Sequence, residues 1–340
     1  QVLGRVAFRL RPVRLDKQPA PACRPVVAPW SADAWRSPSM LGPNSLRFLN
    51  ETHSITSATD WNNPDWDKLW LYNLHYFDDL NASRSTLRRD LHHHLIADWV
   101  KRNPPATGVG WEPYPTSLRI VNWVKWSLRG NALLDEELNS LALQAAWLSR
   151  NIEWHLLGNH LFSNGKALVF AGMYFDGPAP RDWLQTGLDI LSREIREQVL
   201  ADGGHFELSP MYHSLALEDI LDLVNLSKAW PGRLNQEFAA MLVETAEQML
   251  DWLDVMSHPD GEIALLNDSA FGVAPSPVEL IEYASRLGIN PGSSGAGVQW
   301  LEESGYVRGR IGSAVLIADI GKIGPDYLPA HAHADTLSFE

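Results

Sequence analysis

The chain has almost no cysteine: Cys23 is the single one in 340 residues. Neither a disulfide framework nor a thiolate metal centre can be built from it. Compartment stays open, because many proteins of oxidising compartments also lack disulfides. Positive charge is scarce as well. Against 41 Asp and Glu stand 28 Lys and Arg, a formal net charge of -13. Nucleic acid, which needs a basic stripe, is argued against as a partner. A highly sulfated polymer is a poor match too, unless basic groups gather locally in a cleft. No apolar run approaches the length of a membrane span. The first fifteen residues, Gln1 to Leu15, contain arginines but no apolar core of the kind a secretory signal requires. The chain opens on Gln and stops at Ser338-Phe339-Glu340, inside what reads as a strand, which predicts truncation at both ends.

What the chain has in quantity is apolar and aromatic material. It is 45% hydrophobic and 20% charged, a globular composition, with 15 tryptophans. The length suits one large domain or two ordinary ones. Indole faces either fill a core or stack on sugar rings in a cleft, and composition alone leaves both open.

Three textures divide the sequence. Residues 1–45 are rich in Pro and Arg and read as an extended arm. Over 46–292 apolar residues recur at helical spacing, in 64–80, 86–102, 116–129, 132–149, 152–174, 181–199, 210–229, 234–257 and 277–287. Breakers separate these runs, among them Asn103-Pro104-Pro105, Asp202-Gly203-Gly204 and Pro231-Gly232. Helices of this length joined by short loops become antiparallel neighbours, as in a solenoid or an (α/α) toroid. No fixed repeat period is present, which weakens the regular solenoid. From 297 to 340 the pattern turns to strands, at Gly305 to Arg308 and Ser313 to Asp319.

Four segments concentrate polar side chains in an otherwise apolar context. In the first, His155, Asn159, Ser163 and Lys166 share one face of a presumed helix, where they form either an inter-helix network or a cleft lining. In the second, Ser209-Pro210 reads as an N-cap followed by N1, which places Tyr212 and His213 in the first turn. The positive helix terminus would favour a tyrosinate there and disfavour a charged imidazole. In the third, His331, His333 and Asp335 alternate, so an extended chain points all three the same way. His-x-His suits zinc, or a base beside a metal, although further ligands must come from elsewhere. In the fourth, Arg119 and Asn122 share a helix face behind Trp111-Glu112-Pro113-Tyr114-Pro115. Arg119 either grips a substrate carboxylate or holds a protein acid such as Glu112.

Taken in order, Asn73-Leu74-His75-Tyr76, Trp111 to Trp123, Gly158-Asn159-His160-Leu161, Ser209 to His213 and His331-Ala332-His333-Ala334-Asp335 resemble the heparinase II/III-like polysaccharide lyases. The resemblance covers residues 60–340 and points to the subgroup found in bacterial surface-polysaccharide gene clusters. It implies a mainly α fold, an incomplete (α/α) toroid followed by the start of an antiparallel β-sandwich domain. The activity implied is β-elimination at a uronic acid. On this resemblance Asn159 neutralises the uronate carboxylate, and Tyr212 transfers protons as base, acid or both. His331 is a second acid/base group. His160, His213, Arg119, Trp111, Glu112 and His75 attend the substrate, an anionic polysaccharide or oligosaccharide. His333 matches a position that ligates a divalent metal, zinc or calcium, in the β domain.

Three other functions compete. A glycoside hydrolase on a helical toroid needs two opposed carboxylates, for which Glu112, Asp79, Glu207 and Asp268 are available. A metal-dependent amidohydrolase carries His-x-His early, on a first strand, whereas here it comes last. A non-catalytic glycan-binding or assembly protein would keep the toroid without the full set Asn159, Tyr212, His331 and His333.

Overall fold

The computed structural model describes residues 19–156, 158–292, 297–321 and 337–340. The described chain is mainly helical and ends in a small antiparallel sheet. The described residues divide into two compact units: those within 19–24, 38–154 and 167–186 form the first, and the described residues of 25–37, 155–166 and 187–340 the second. No helix among the described residues is long and apolar enough to cross a membrane.

In the first unit a hairpin precedes the helices. Strands β1 (Ser45–Phe48) and β2 (Glu51–Ser54) pair antiparallel, with Phe48 opposite Glu51. The two connecting residues, Leu49 and Asn50, have φ of 51° and 64°, the left-handed pair that matches strand twist in a two-residue turn. Helix α1 (Lys68–Tyr76) starts where Asp67 accepts from the amides of Leu69 and Trp70, and stops at Phe77 with φ 65°. It is therefore shorter than the 64–80 periodicity predicts. Helices α2 (Arg89–Arg102), α3 (Pro113–Leu128) and α4 (Asp135–Leu148) follow. Pro113 opens α3 at N1, where its missing N–H costs nothing. Helix α3 packs on α1 and α4, and α2 packs on α4. The core between them holds Trp61, Trp70, Trp99, Trp123 and Trp126, all fully enclosed. Most tryptophans in this unit thus serve packing.

Helices α5 (Gly158–Tyr174) and α6 (Pro178–Gln198) contribute residues to both units, since the dividing points fall inside them. The 152–174 periodicity predicts an earlier start for α5. Instead Trp154 to Leu156 form a turn, and Gly158 begins the helix with φ +56°.

The second unit contains α7 (Pro210–Ala229), α8 (Gln236–Val255) and α9 (Pro277–Arg286), packed on one another. Here the helical reading of 210–229 matches to the residue. Residues 25–37 run extended along this group. The amides of Val27 and Ala28 donate to the Ala229 carbonyl, and Asn225 exchanges side-chain bonds with the backbone of Ser31. Lys166 is buried between Asp219 and Asp222, 2.6 Å from each, and Tyr283 donates to Asp222 at 2.9 Å. Burial pushes the Lys166 pKa down, but the two aspartates outweigh it and the net shift is upward, so the ammonium stays charged.

Strands β3 (Gln299–Leu301), β4 (Tyr306–Ile311) and β5 (Ala314–Asp319) form one antiparallel sheet in that order, with Tyr306 opposite both Leu301 and Asp319. Leu301, Tyr306 and Ile317 bury against Trp252, Met256, Ala264 and Leu208.

Candidate active site

The first turn of α7 is built as the sequence predicts. Ser209 caps the helix, its hydroxyl accepting from the Tyr212 amide, and Pro210 occupies N1. Tyr212 is half-buried at the third position. Its chemistry, however, differs from the expectation of a tyrosinate. Burial, followed by the charges of Asp268 and Glu207, pushes its pKa up to about 12. The helix terminus is a partial positive charge of short reach. Partial desolvation and two nearby carboxylates overwhelm it. Tyr212 is therefore a neutral hydroxyl in this setting.

His213, expected to attend the substrate, is wholly enclosed instead. Its Nε2 bonds the Met249 carbonyl at 2.9 Å, and its ring stacks on Trp252 with centroids 4.2 Å apart. Its Nδ1 is buried without a hydrogen-bond partner among the described residues. Burial pulls its pKa down to about 3, so the imidazole is neutral. An apolar stack explains the position better than glycan contact does.

Asn159 and His160 sit half-exposed in the first turn of α5. His155, placed on the same helix face by spacing, lies in the turn before the helix. Ser163 and Lys166 point into the interior. The predicted polar stripe thus separates into an accessible end and a buried end. A residue the sequence reading missed ties this end to the Tyr212 segment. Gln198, at the end of α6, donates to the Gly158 carbonyl at 3.0 Å, and its amide oxygen faces His205 Nε2 at 3.4 Å. Nothing in its sequence surroundings marks it, because one glutamine at a helix end is ordinary.

The first unit holds four more residues expected at the substrate, and three are interior. Arg119 has no exposed surface. Its guanidinium lies 3.9 Å over the Trp99 ring and donates to Gln144 Oε1 at 2.8 Å, the His75 carbonyl at 3.2 Å and Thr116 Oγ1 at 3.3 Å. With every nitrogen turned inward onto protein acceptors, it braces the core rather than gripping a carboxylate. His75 is equally enclosed. Its Nε2 pairs with the Trp61 carbonyl at 2.9 Å, and its Nδ1 accepts from Trp99 Nε1 at 3.0 Å. Burial and then the Arg119 charge pull its pKa down to about 3. Gly110 makes room for this ring, since a Cβ there would stand 2.5 Å from His75 Nδ1. Trp111 is buried too, donating to the Asn103 carbonyl at 3.3 Å. Glu112 alone is half-exposed, where it accepts from the Tyr72 hydroxyl and pairs with Lys68 at 3.1 Å.

Among the acids a hydrolase would require, Asp79 is committed elsewhere. It accepts from the amides of Ser39 and Met40, from Arg88 and from His92. His331 and His333, and with them the zinc or calcium expectation, lie outside the described residues. Among the described residues no three His, Cys, Asp or Glu side chains gather as a metal site.

The family described as Heparinase II/III N-terminus matches residues 81–282, and the Heparinase II/III-like C-terminal family matches 294–340. A heparin-sulfate lyase of Pedobacter heparinus is 35% identical over 187 residues, 51% of this chain and 28% of that protein. A crystal structure of heparinase III superposes with a TM-score of 0.63 at 20% identity, covering 86% of this chain and 51% of that one. A heparan sulfate lyase structure from Pedobacter heparinus gives 0.58 at 22% identity, covering 98% and 57%. The chain therefore spans about half the length of these solved structures. Their fold class is the one expected here, an incomplete (α/α) toroid followed by an antiparallel β region. The match to the N-terminal family alone covers more than half of the chain, which belongs to the heparinase II/III family.

Proposed function

We propose that this chain is the helical part, and the start of the β part, of a polysaccharide lyase that cleaves a uronic-acid-containing glycan by β-elimination. The observation that carries the reading is Tyr212, half-buried on the capped first turn of α7 in a chain of this family.

In β-elimination the C5 proton leaves to a base, the C4–O bond breaks, and a C4–C5 double bond forms. The departing C4 oxygen must receive a proton. The neutral Tyr212 hydroxyl holds a proton that it can supply to that oxygen. By resemblance, Asn159 binds the uronate carboxylate, where an amide donor stabilises charge spreading from C5. Its half-exposed place in the first turn of α5 allows that contact, and the helix terminus favours an anion there. His160 stands beside it as a substrate contact. His331 is the candidate base by resemblance. The two carboxylates near Tyr212 and the net charge of -13 favour a lightly charged uronate polymer over heparin.

The test is incubation of the full-length protein with a panel of uronate polysaccharides, followed by ultraviolet absorbance of the unsaturated uronate end. Absorbance that rises with wild type and not with Tyr212→Phe is expected. New reducing ends without that absorbance would reject β-elimination in favour of hydrolysis.

A further inference from the structure

The turn before Tyr212 is strained and doubly clamped. Leu208, a buried residue of the core, has φ +57°, in the left-handed region that a leucine seldom occupies. Asn267, on the loop before α9, has φ +54°. The two are locked to each other. Asn267 Nδ2 donates to the Leu208 carbonyl at 3.0 Å, and Tyr306 of β4 donates its hydroxyl to the same carbonyl at 2.6 Å. Asn267 Nδ2 also reaches the Tyr306 hydroxyl at 2.8 Å, closing a three-membered arrangement.

The next two loop residues continue the grip. Ser209 Oγ donates to the Asp268 carbonyl at 3.0 Å and meets Ser269 Oγ at 3.1 Å, while the Met211 amide donates to Ser269 Oγ at 3.3 Å. Leu208, Ser209 and Met211 are thus each fixed from the 267–269 loop, and Tyr212 follows directly. Strain of this kind persists only where the surroundings over-determine it, and it gathers at functional sites. The capped helix start needs only Ser209. The additional bonds, and the reach of a sheet residue across to Leu208, exceed what a helix end requires.

We propose that Tyr306 and Asn267 are positioning residues for Tyr212, holding the Leu208 carbonyl so that the first strands of the β region set the direction of the Tyr212 hydroxyl. This rests on the reading of Tyr212 as the proton donor. It extends that reading by making β4 part of the apparatus that aims the donor. The Tyr306 ring is fully buried against Trp252, so removal of its hydroxyl leaves the packing in place. Asn267→Gly accepts the left-handed φ while removing the amide.

The experiment uses the full-length protein with Tyr306→Phe and, separately, Asn267→Gly. The expected result is a fall in kcat on the order of 10- to 100-fold with KM held, the size a misplaced reacting group produces. Neither change should lower the residual rate of Tyr212→Phe any further, because both act through that hydroxyl. A general structural role would lower the rate equally in both backgrounds, and that result overturns the proposal. A second readout does not depend on turnover. With fluorotyrosine incorporated at the tyrosines, the Tyr212 signal is assigned by its loss in Tyr212→Phe. It should shift or broaden in both variants, and an unmoved signal rejects the clamp. If Tyr212→Phe retains full kcat while the signal still moves, the clamp stands and the proton-donor reading falls.

Discussion

The side-chain amide of Gln198 donates to the Gly158 carbonyl and to Glu194 Oε2, 3.0 and 2.9 Å away, and its oxygen faces His205. One buried side chain therefore joins the start of α5, which carries Asn159 and His160, to the segment that leads into Tyr212. Replacement by alanine strands the Gly158 carbonyl in the interior, at a cost of about 1–3 kcal/mol. We expect Gln198→Ala to lower both the denaturation midpoint and kcat/KM. Gln198→Glu should be worse, because a second carboxylate then faces Glu194. Urea unfolding together with the absorbance assay reads both effects. Wild-type kcat/KM in Gln198→Ala would separate the two segments functionally.

Arg119 carries a prediction of the opposite kind. As an interior brace it should affect stability and not affinity. Arg119→Met leaves the Gln144 oxygen and the His75 carbonyl without their donors, and each buried acceptor left unsatisfied costs about 1–3 kcal/mol. Denaturation should show that loss, while KM for the folded fraction stays at the wild-type value. A raised KM with unchanged stability would return Arg119 to the substrate.

These two residues show where the sequence is legible. Periodicity located the helices because burial repeats along them. The cap at Ser209-Pro210 was readable because it is local chemistry. Hydrogen-bond partners distant in sequence were not. The same helix face carries Arg119 whether it meets a glycan or the Trp99 ring, and only the packing of α1 and α3 decides. The Tyr212 environment misled for a related reason. The helix terminus lies within three residues and is visible, whereas Asp268 arrives from 56 positions further along the chain. The β1–β2 hairpin was missed because its strands are short and lack clean alternation.

Acid should destabilise the protein through His75 and His213. Both have folded-state pKa values near 3, below the ordinary 6.5. Between those values the unfolded chain binds protons that the folded chain refuses. The stability they contribute is thus complete above about pH 6.5 and is lost as pH falls toward 3. The slope approaches ~1.4 kcal/mol per pH unit for each histidine. His75→Gln keeps a donor for the Trp61 carbonyl and an acceptor for Trp99, and should flatten the curve by about one histidine's share. Urea unfolding at stepped pH measures it, and an unchanged slope in the variant would place the acid sensitivity elsewhere.

Lys166 offers a double-mutant test. Lys166→Met alone removes the cation that neutralises buried Asp222, and should cost about 3–5 kcal/mol. Adding Asp222→Leu removes the stranded charge and should recover part of that loss. Additive losses, measured by denaturation, would mean that the two side chains do not act as a pair.

The buried Trp99 ring has an optical consequence. It lies against the Arg119 guanidinium, bonds His75, and has Trp111 and Trp123 as neighbours with centroids 5.8 Å away. At that spacing excitation passes among these indoles, so their emission reports on an enclosed cluster rather than on the surface. In a glycan titration followed by intrinsic fluorescence, any change should therefore come from exposed indoles such as Trp154 or Trp300. Protonation of His75 at Nδ1 removes the acceptor of the Trp99 indole, so acid should change the emission of this cluster.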